Sequence, residues 1–439
     1  MYMVTKILGL LRSQGFIRYF KNTSWMMLEQ LLRIIAGLFV GIWVARYLGP
    51  QQFGLFSYAI AFTAIFAGVA KLGLDGIIVR ELINHPEKKD LYLGTAFWLK
   101  VIGAIIVIGL IAIIVPFTNN DAMTNIFIFI IAGGVVFQSF EVVEFYFQSQ
   151  VLAKIVSICK IIQLTLSSLI KIYLVISEAE LIAFVLITIF DVISLAICYF
   201  IAYKLQERGS FYRQFDRSVA KRFIKDSWPL ILSSVVVMVY MRIDQVMIKE
   251  MLGEYEVGIY SAAVRLSEAF YFIPMLITAS IFPAILNARK NNQELYRLRL
   301  QRLYTFLAWL AIFFALITTF SSDWIIYVLF GESYKEAGEI LTVHVWSSVF
   351  IFLGVAFGKY LIAEGLTKVA FQRTLLGAIA NVLLNLFLIP VHGILGAAIA
   401  TLIAQFITNV AYDLFNKNLH EQLRMKLYAI IIPWRASGK

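Results

Sequence analysis

Long apolar stretches, separated by brief polar interruptions, run along the chain from Trp25 to Phe415. A helix needs about 20 mostly apolar residues to cross roughly 30 Å of hydrocarbon, and stretches of that length recur throughout. The pattern predicts an all-α integral membrane protein of about twelve spans. The predicted spans cover residues 23–46, 53–74, 92–115, 123–147, 155–176, 181–203, 227–249, 257–286, 303–320, 338–358, 374–389 and 394–415.

The turn between the first two predicted spans recurs in the second half of the chain. Residues 48–59 read LGPQQFGLFSYA and residues 252–263 read LGEYEVGIYSAA, an offset of 204 residues. Six spans separate the two copies, and because six is even, both halves enter the membrane in the same direction. The repeat therefore predicts two six-helix lobes related by an axis along the membrane normal.

The predicted organisation has four parts: an N-terminal lobe at 1–203, an inter-lobe linker at 204–226, a C-terminal lobe at 227–415 and a tail at 416–439. The linker combines seven basic residues with the aromatic residues Phe211, Tyr212, Phe215 and Phe223. This combination is typical of an amphipathic segment on an anionic lipid surface. A plain solvated loop accounts for the charges equally well.

The basic residues predict the orientation. With the N-terminus inside, 28 of the 38 lysines and arginines fall in predicted inner segments, where positive charge is retained. The outer connections contain Lys335, with Arg46 and Lys249 at span edges. We therefore expect both termini in the cytoplasm, and because the basic N-terminus lacks a small-residue cleavage site, we expect it to be retained.

Composition excludes several classes of protein. The chain is 61% hydrophobic and 15% charged, whereas soluble domains carry about a quarter charged residues. The net charge of +11 is scattered over short loops, which argues against nucleic-acid binding. Cys159 and Cys198 lie inside predicted spans, and the four histidines are isolated, so we expect packing roles and no metal site.

Ionisable residues inside spans mark candidate functional positions, because each costs about 2.5–3.5 kcal/mol at the bilayer centre. Arg242 and Asp244 precede the outer turn at 250–257, and Arg265 and Glu268 follow it at similar depth. We expect these four side chains to lie within reach of one another. They form either a balanced network that locks two helices, or a site in which guanidinium groups bind phosphate.

Two more charged sets lie in the predicted N-terminal lobe. Glu29 and Arg33 are one helical turn apart in span 1, so they form a self-neutralised pair, or Arg33 meets a phosphate. Lys160 and Lys171 in span 5 and Asp191 in span 6 add charges whose faces the sequence does not fix, and Lys171 can equally snorkel outward.

Polar residues also recur at helical spacing. In span 4 they form a stripe that should line the transport cavity, consisting of Gln138, Glu141, Glu144 and Gln148. Hydration of a vestibule, hydrogen bonds to sugar hydroxyls and ion coupling all fit such a stripe. Pro274 and Pro283 interrupt span 8, and a broken helix either borders a transport site or is a static kink.

Several of these segments resemble one known family. They are RIDQVMI at 242–248, VGIY at 257–260, RLSE at 265–268, the first turn at 45–59 and FYFQ at 145–148. Together they are similar to the polysaccharide-transport branch of the multidrug/oligosaccharidyl-lipid/polysaccharide (MOP) exporter superfamily, which includes the O-antigen (Wzx-type) flippases. Ser149 stands where the family pattern has Gly, which argues against a close backbone contact there.

The resemblance implies a MATE-like, V-shaped pair of lobes that alternate access. It implies a cargo of undecaprenyl-diphosphate-linked oligosaccharide, moved to the periplasmic leaflet of the bacterial inner membrane for O-antigen or another surface polysaccharide, with a downstream polymerase as a partner. Candidate cargo contacts are Arg33, Arg242, Arg265 and the stripe in span 4. Candidates for charge balance or for H⁺ or Na⁺ coupling are Glu29, Asp191, Asp244 and Glu268. No cofactor is expected.

Three alternatives remain open. A cation-coupled multidrug exporter of the same superfamily should have an acidic, aromatic cavity for cationic drugs. A lipid II flippase usually carries extra spans, which this length does not accommodate. A membrane-embedded glycosyltransferase or polymerase typically needs a large outer domain, and the longest predicted outer loop, at about 320–337, is too short for one. We therefore do not expect an enzyme.

Overall fold

A computed structural model describes residues 14–207 and 209–431, with the side chains of Asn22 and of residues from Ser24 onward. Most of the basic N-terminal stretch and residues 432–439 of the predicted tail lie outside the described residues.

The described chain is helical throughout. Helices α1–α5 are Gln14–Ala70, Asp75–Asn84, Lys89–Ile114, Ala122–Gly134 and Val142–Ser149. Helices α6–α10 are Ala153–Ile176, Leu181–Gln206, Arg217–Met251, Glu254–Glu268 and Phe272–Asn291. Helices α11–α15 are Gln293–Phe330, Ala337–His344, Ser347–Ala363, Thr367–Asn409 and His420–Ile431. Short 3₁₀ segments lie at Pro86–Lys88, Val115–Phe117, Val135–Glu141, Phe211–Arg213, Glu332–Tyr334, Ala411–Phe415 and Lys417–Leu419.

The described residues contain ten apolar helical segments long enough to cross a membrane. Two of them contain a sharp turn, at Gly49 in α1 and at Gly393 in α14, where the backbone takes a positive φ. These two segments are 61 and 43 residues long, about twice the length of one span. Ten segments, two of them long enough for two spans each, accommodate the twelve predicted spans of a multi-pass membrane protein.

The repeated turns also share their backbone conformation. Gly49 has φ 68°, and Gly253, the residue 204 positions later, has φ 118°. Glycine populates this region readily because it has no Cβ. At Pro50 the fixed φ of proline suits the first turn of the helix that follows. The repeated turn read from the sequence is therefore present in the fold.

The chain forms two compact units. Unit 1 contains Met1–Val44 and Phe62–Val235, and unit 2 contains Ala45–Ala61 and Val236–Lys439. The divisions fall inside helices α1 and α8, so residues 45–61, from the first two spans, pack with unit 2. The lobe boundaries given by the sequence analysis stay a prediction.

Unit 1 has an aromatic core around the N-terminal half of α3. Phe211 lies 5.0 Å from Tyr203 and 5.7 Å from Phe97, measured between ring centroids, in edge-to-face contacts. Tyr146 lies 5.3 Å from Tyr203 in the same arrangement. Aromatic pairs favour this geometry because the positive ring edge meets the negative ring face.

The predicted linker contributes to this core. Phe211 and Phe223 are completely buried, whereas Phe215 is exposed. The carbonyl oxygen of Phe211 would lie 2.1 Å from a Cβ at Gly94, so only glycine in α3 admits the segment. The interpretation of these aromatic residues as a lipid-facing surface is therefore wrong for Phe211 and Phe223, which pack into protein. From Arg217 onward the linker is helical and continuous with span 7.

Unit 2 is built around α11, which packs against α12, α13 and the C-terminal helix α15. Helix α15 is held by a fully buried ion pair, with 2.7 Å between Lys426 Nζ and Asp413 Oδ2. The same ammonium donates to the Asn409 carbonyl at 2.8 Å and lies 3.3 Å from the Phe357 ring centroid. Burial lowers the pKa of Lys426 to about 7 and raises the pKa of Asp413.

Candidate functional site

A cavity of about 280 Å³ within unit 2 contains two of the predicted cargo-binding residues. It is formed by the second half of the first turn and by helices α8 and α9. Its lining residues are Phe53, Ser57, Ile60, Arg242, Gln245, Ser261, Val264, Arg265 and Glu268.

Arg242 and Arg265 share this cavity with one acid, Glu268. The distance between Arg242 Nη1 and Glu268 Oε2 is 3.6 Å, and both side chains are partly exposed. Helices α8 and α9 flank the turn at Gly253, so positions 242 and 265 lie at similar depth, as the sequence indicated. Two guanidinium groups and one carboxylate leave the lining with a formal charge of +1.

The cavity lies beside a break in span 8. Helix α9 ends at Glu268 and α10 begins at Phe272. Pro274 lies in the first turn of α10, where its missing N–H breaks no intrahelical hydrogen bond. The predicted interruption of this span is confirmed next to Pro274, directly after the charged residues, whereas Pro283 lies inside the uninterrupted helix α10.

Asp244 does not join this group. Its carboxylate is buried and accepts hydrogen bonds from Asn385 Nδ2 at 2.6 Å, from Tyr260 OH at 2.8 Å and from the Thr401 hydroxyl. The expectation that the four charged residues lie within reach of one another is therefore met in part: neutral side chains hold Asp244, which meets Glu268 in a second cavity. Positions two apart on a helix point about 200° away from each other, so Asp244 and Arg242 face different sides of α8.

A second, smaller cavity of about 40 Å³ lies beside this carboxylate. Asp244, Tyr260 and Thr401 line it, and Glu268 lines both cavities. Asn381 Oδ1 accepts a hydrogen bond from Asn385 Nδ2 at 3.2 Å, which extends the polar cluster along α14. The volume suits one water molecule or one small ion.

Comparisons with known proteins identify the family of this chain. The family described as polysaccharide biosynthesis protein matches residues 19–289, which is more than half of the chain. The chain belongs to this family. The MatE family also matches, over residues 229–387. The resemblance to the polysaccharide-transport branch of the MOP superfamily is thereby confirmed.

Three relatives illustrate the family. "Capsular polysaccharide biosynthesis protein CapF" of Staphylococcus aureus is 23% identical and covers 91% of this chain and 99% of its own. "Probable flippase AglR" of Haloferax volcanii is 27% identical, covering 85% of this chain and 78% of its own. "Putative O-antigen transporter" of Shigella flexneri is 24% identical, covering 87% and 93%.

Solved structures show the fold of the family. "Lipid II flippase MurJ, inward closed conformation" has a TM-score of 0.72 at 17% identity, covering 92% of this chain and 90% of that one. An inward-facing multidrug resistance MATE family transporter of the MOP superfamily has a TM-score of 0.71 at 15% identity, covering 90% and 95%. The predicted MATE-like, all-α fold is confirmed.

In this member of the family, the polar stripe of span 4 is paired within unit 1. Lys100 Nζ lies 3.0 Å from Glu141 Oε2, and Lys160 Nζ lies 2.7 Å from Glu144 Oε1. Tyr199 OH donates to the other oxygen of Glu144 at 2.8 Å. The carboxylates are thus neutralised by lysines of neighbouring helices. Lys100, whose side chain is 3% exposed, was not among the predicted site residues, although a lysine in the middle of an apolar span is a signal.

The remaining residues of the stripe lie beside these pairs. Gln148 Nε2 donates to Glu144 Oε1 at 3.1 Å. Gln138 lies in the 3₁₀ segment Val135–Glu141 and lines a narrow crevice with Lys71 and Lys100. A 3₁₀ stretch inside a span often marks a hinge. That the stripe lines the transport path stays a prediction.

The other charged candidates of unit 1 form local pairs. Arg33 Nη2 lies 2.7 Å from Glu29 Oε1, as the spacing indicated. Lys171 Nζ lies 2.9 Å from Asp191 Oδ2, and Gln163 donates to the other oxygen of Asp191 at 3.1 Å. The interpretation of Lys171 as a residue that snorkels outward is therefore wrong. A role for Arg33 in phosphate binding stays a prediction.

Proposed function

We propose that this protein is a flippase that moves undecaprenyl-diphosphate-linked oligosaccharide from the cytoplasmic to the periplasmic leaflet of the bacterial inner membrane, with both termini cytoplasmic. The product would feed O-antigen or another surface polysaccharide through a downstream polymerase. Membership of the polysaccharide biosynthesis protein family, and relatives named as a flippase and as an O-antigen transporter, support a lipid-linked glycan as cargo.

The observation that carries the proposal is the pair of arginines in one cavity of unit 2. A diphosphate presents several negatively charged oxygens, and planar guanidinium groups bind such oxygens in bidentate fashion. Arg242 and Arg265 outnumber the single acid, Glu268, so a net positive lining is available to the cargo.

The charge of this cavity also separates the proposal from its nearest rival. A cation-coupled drug exporter needs acidic walls to hold cationic drugs, and the lining of this cavity has the opposite formal sign. The cargo of a lipid II flippase also contains a diphosphate, so the two flippase functions differ in the glycan that the cargo carries. The protein is a transporter of the MOP superfamily rather than an enzyme.

We also propose Asp244 as the residue that couples transport to H⁺ or Na⁺. Its carboxylate is buried among the neutral partners Asn385, Tyr260 and Thr401. A buried carboxylate without a cationic partner in direct contact is stabilised by binding a proton or a small cation. The adjacent cavity of about 40 Å³ offers room for such an ion.

A deletion strain tests the cargo. Loss of the protein should remove the surface glycan and trap its lipid-linked precursor on the cytoplasmic side, and expression of the protein in trans should reverse both effects. A deletion strain that displays normal surface glycan without trapped precursor would contradict the proposal. A deletion that instead arrests peptidoglycan synthesis would favour the lipid II alternative, and a gain of drug sensitivity alone would favour the exporter.

A further inference from the structure

The first three turns of α8 present an exposed face that combines basic and apolar side chains. Successive residues of a helix are rotated by about 100°, so residues three or four positions apart share one side. The exposed residues of one such side, within an arc of about 100°, are Arg217, Lys221, Ile224, Lys225 and Trp228. We call this set the basic face of α8.

The opposite side of the same turns is fixed to unit 1. Phe223 is completely buried, and its ring lies 5.8 Å from that of Tyr92, measured between centroids. The Arg222 guanidinium lies 5.6 Å from the Tyr92 ring centroid, and Arg222 Nη2 donates to Glu81 Oε2 at 3.1 Å. These contacts hold the helix in one rotation about its axis, so the basic face points away from the core of unit 1.

The cations of the basic face are not neutralised by the protein. Arg217, Lys221 and Lys225 are exposed, and none of the three forms an ion pair with a residue that the structure describes. Asp226, the acid within these turns, lies on the other side of the helix, where its Oδ2 is 3.9 Å from Arg80 Nη2. The face therefore directs three positive charges at whatever surrounds it.

The basic face lies where the chain enters the bilayer. It ends at Trp228, on the predicted inner boundary of span 7, and tryptophan rings favour the level of the lipid headgroups. The loop before α8 is tied to the start of span 3, because Trp98 Nε1 donates to the Tyr212 carbonyl at 2.9 Å and the Asp216 amide donates to Thr95 Oγ1 at 3.1 Å. Both ends of the face are thus held next to the ends of predicted spans, at headgroup level.

We propose that the basic face of α8 is a binding surface for anionic phospholipids of the membrane. The three cations attract the phosphates of a negatively charged leaflet, and the exposed side chains of Ile224 and Trp228 bury apolar surface between the headgroups. Phe215, directly before the helix, is exposed and adds to this apolar surface. A soluble acidic partner would match the charges but would leave these apolar side chains in water.

This surface differs from the cargo site in place and in ligand. It belongs to unit 1 and takes the bilayer's own lipid, whereas the arginine cavity belongs to unit 2. The amino-acid composition of the linker left a lipid surface and a solvated loop equally open. The structure divides the linker, because Phe211 and Phe223 fill the core of unit 1 while the cations of α8 lie outside it.

Lipid-selective quenching tests the surface. A reporter, Gln214→Cys, replaces an exposed side chain beside the basic face in a chain carrying Cys159→Ser and Cys198→Ser, and receives a small fluorophore. The protein is reconstituted into phosphatidylcholine bilayers with about 30% phosphatidylglycerol, and equal amounts of one lipid or the other carry a nitroxide near the head of the acyl chain. Phosphatidylglycerol should quench the reporter about threefold more strongly, because the basic face enriches it locally.

Removal of the charges should remove this preference. The triple variant Arg217→Gln, Lys221→Gln and Lys225→Gln should bring quenching by the two lipids to within about 1.5-fold of each other. Salt gives the same test without a substitution at the face, because raising NaCl from about 0.05 M to about 0.5 M screens exposed charges and should weaken the preference. This measurement decides the matter if the triple variant fails to insert.

A matched control removes the same number of charges elsewhere. Lys368→Gln, Lys417→Gln and Arg424→Gln replace three exposed cations of unit 2 on the same predicted side of the membrane. This control should keep the preference of the reporter chain. A loss as large as that in the α8 variant would show a general effect of net charge and would overturn the binding surface.

Other results would also contradict the proposal. They are equal quenching by the two lipids in the reporter chain, a preference that survives loss of the three α8 charges, and a preference that salt does not weaken. A preference that disappears on adding an equimolar short-chain prenyl diphosphate would show that the face holds a cargo head group instead of phospholipid. None of these measurements uses export, so the outcome is independent of the proposed glycan cargo.

Discussion

The replacement of Arg265 by glutamine is the sharpest test of the arginine cavity. A phosphate oxygen in contact with this guanidinium lies about 4 Å from its charge, which corresponds to about 4 kcal/mol at an effective dielectric constant of about 20. Arg242 remains in the variant, and water in the open cavity screens part of the attraction. We therefore expect a loss of about 2–3 kcal/mol, roughly 30- to 150-fold in affinity for a diphosphate.

The series around this position separates charge from geometry. Arg265→Lys keeps the charge but loses the planar fork, so it should retain part of the affinity. Arg265→Glu places two acids against one arginine and should abolish transport. The matched control is Arg297→Gln, which breaks an exposed pair with Glu421 that lies 2.8 Å away and should change affinity little.

Two measurements are needed. Binding of a short-chain prenyl diphosphate to purified protein, followed by intrinsic tryptophan fluorescence, reports affinity. Surface glycan in a deletion strain that expresses each variant at matched membrane levels reports export. If Arg265→Gln binds the diphosphate within threefold of the natural protein and exports normally, the guanidinium does not contact phosphate, and the pairing with Glu268 is structural.

Three further predictions concern buried charges. Asp244→Asn should remove the dependence of export on Na⁺ or on pH while the protein still inserts, as measured by export across ion gradients. Lys426→Met leaves Asp413 buried without its partner and should lower stability by about 3–5 kcal/mol, whereas Lys426→Met with Asp413→Leu should restore it, as measured by thermal unfolding in detergent. Because burial lowers the pKa of Lys426 to about 7, the unfolded chain binds more protons between pH 7 and about 10, so the stability of the natural protein should rise with pH in that window.

For each of these three predictions, a specific result would contradict it. Export by Asp244→Asn that keeps the ion response of the natural protein would remove Asp244 from coupling. Equal unfolding temperatures for Lys426→Met and the double variant would show that the buried ion pair contributes little. A stability that is flat from pH 7 to about 10, or the same slope in the double variant, would show that Lys426 does not titrate there.

The sequence predicted the parts of the fold that local patterns determine. Apolar length gave the spans, and the 204-residue offset located two turns whose glycines adopt positive φ. Arg242 and Arg265 lie at similar distances from the turn between their helices, which predicted that they meet, and they line one cavity. These inferences depend on residues that are near in sequence or related by the repeat, which is the information that a single chain carries.

Local sequence patterns do not predict partners that are distant along the chain. Asp244 is bonded by Asn385 and Thr401, which follow it by 141 and 157 residues, and nothing local links them. Lys100 meets Glu141 because α3 packs against the 3₁₀ segment of span 4, a contact that depends on helix rotation. Helix rotation itself was partly predictable, since the two-residue spacing of Arg242 and Asp244 already separates their faces.

Helix α9 connects the two sites proposed for this protein. Tyr260 donates to Asp244, and Arg265 and Glu268 line the arginine cavity, all within residues 260–268. A helix moves largely as a rigid body, so we expect a change of charge at Asp244 to shift Arg265 through Tyr260. The proposed ion site and the proposed cargo site would then be linked through one short helix.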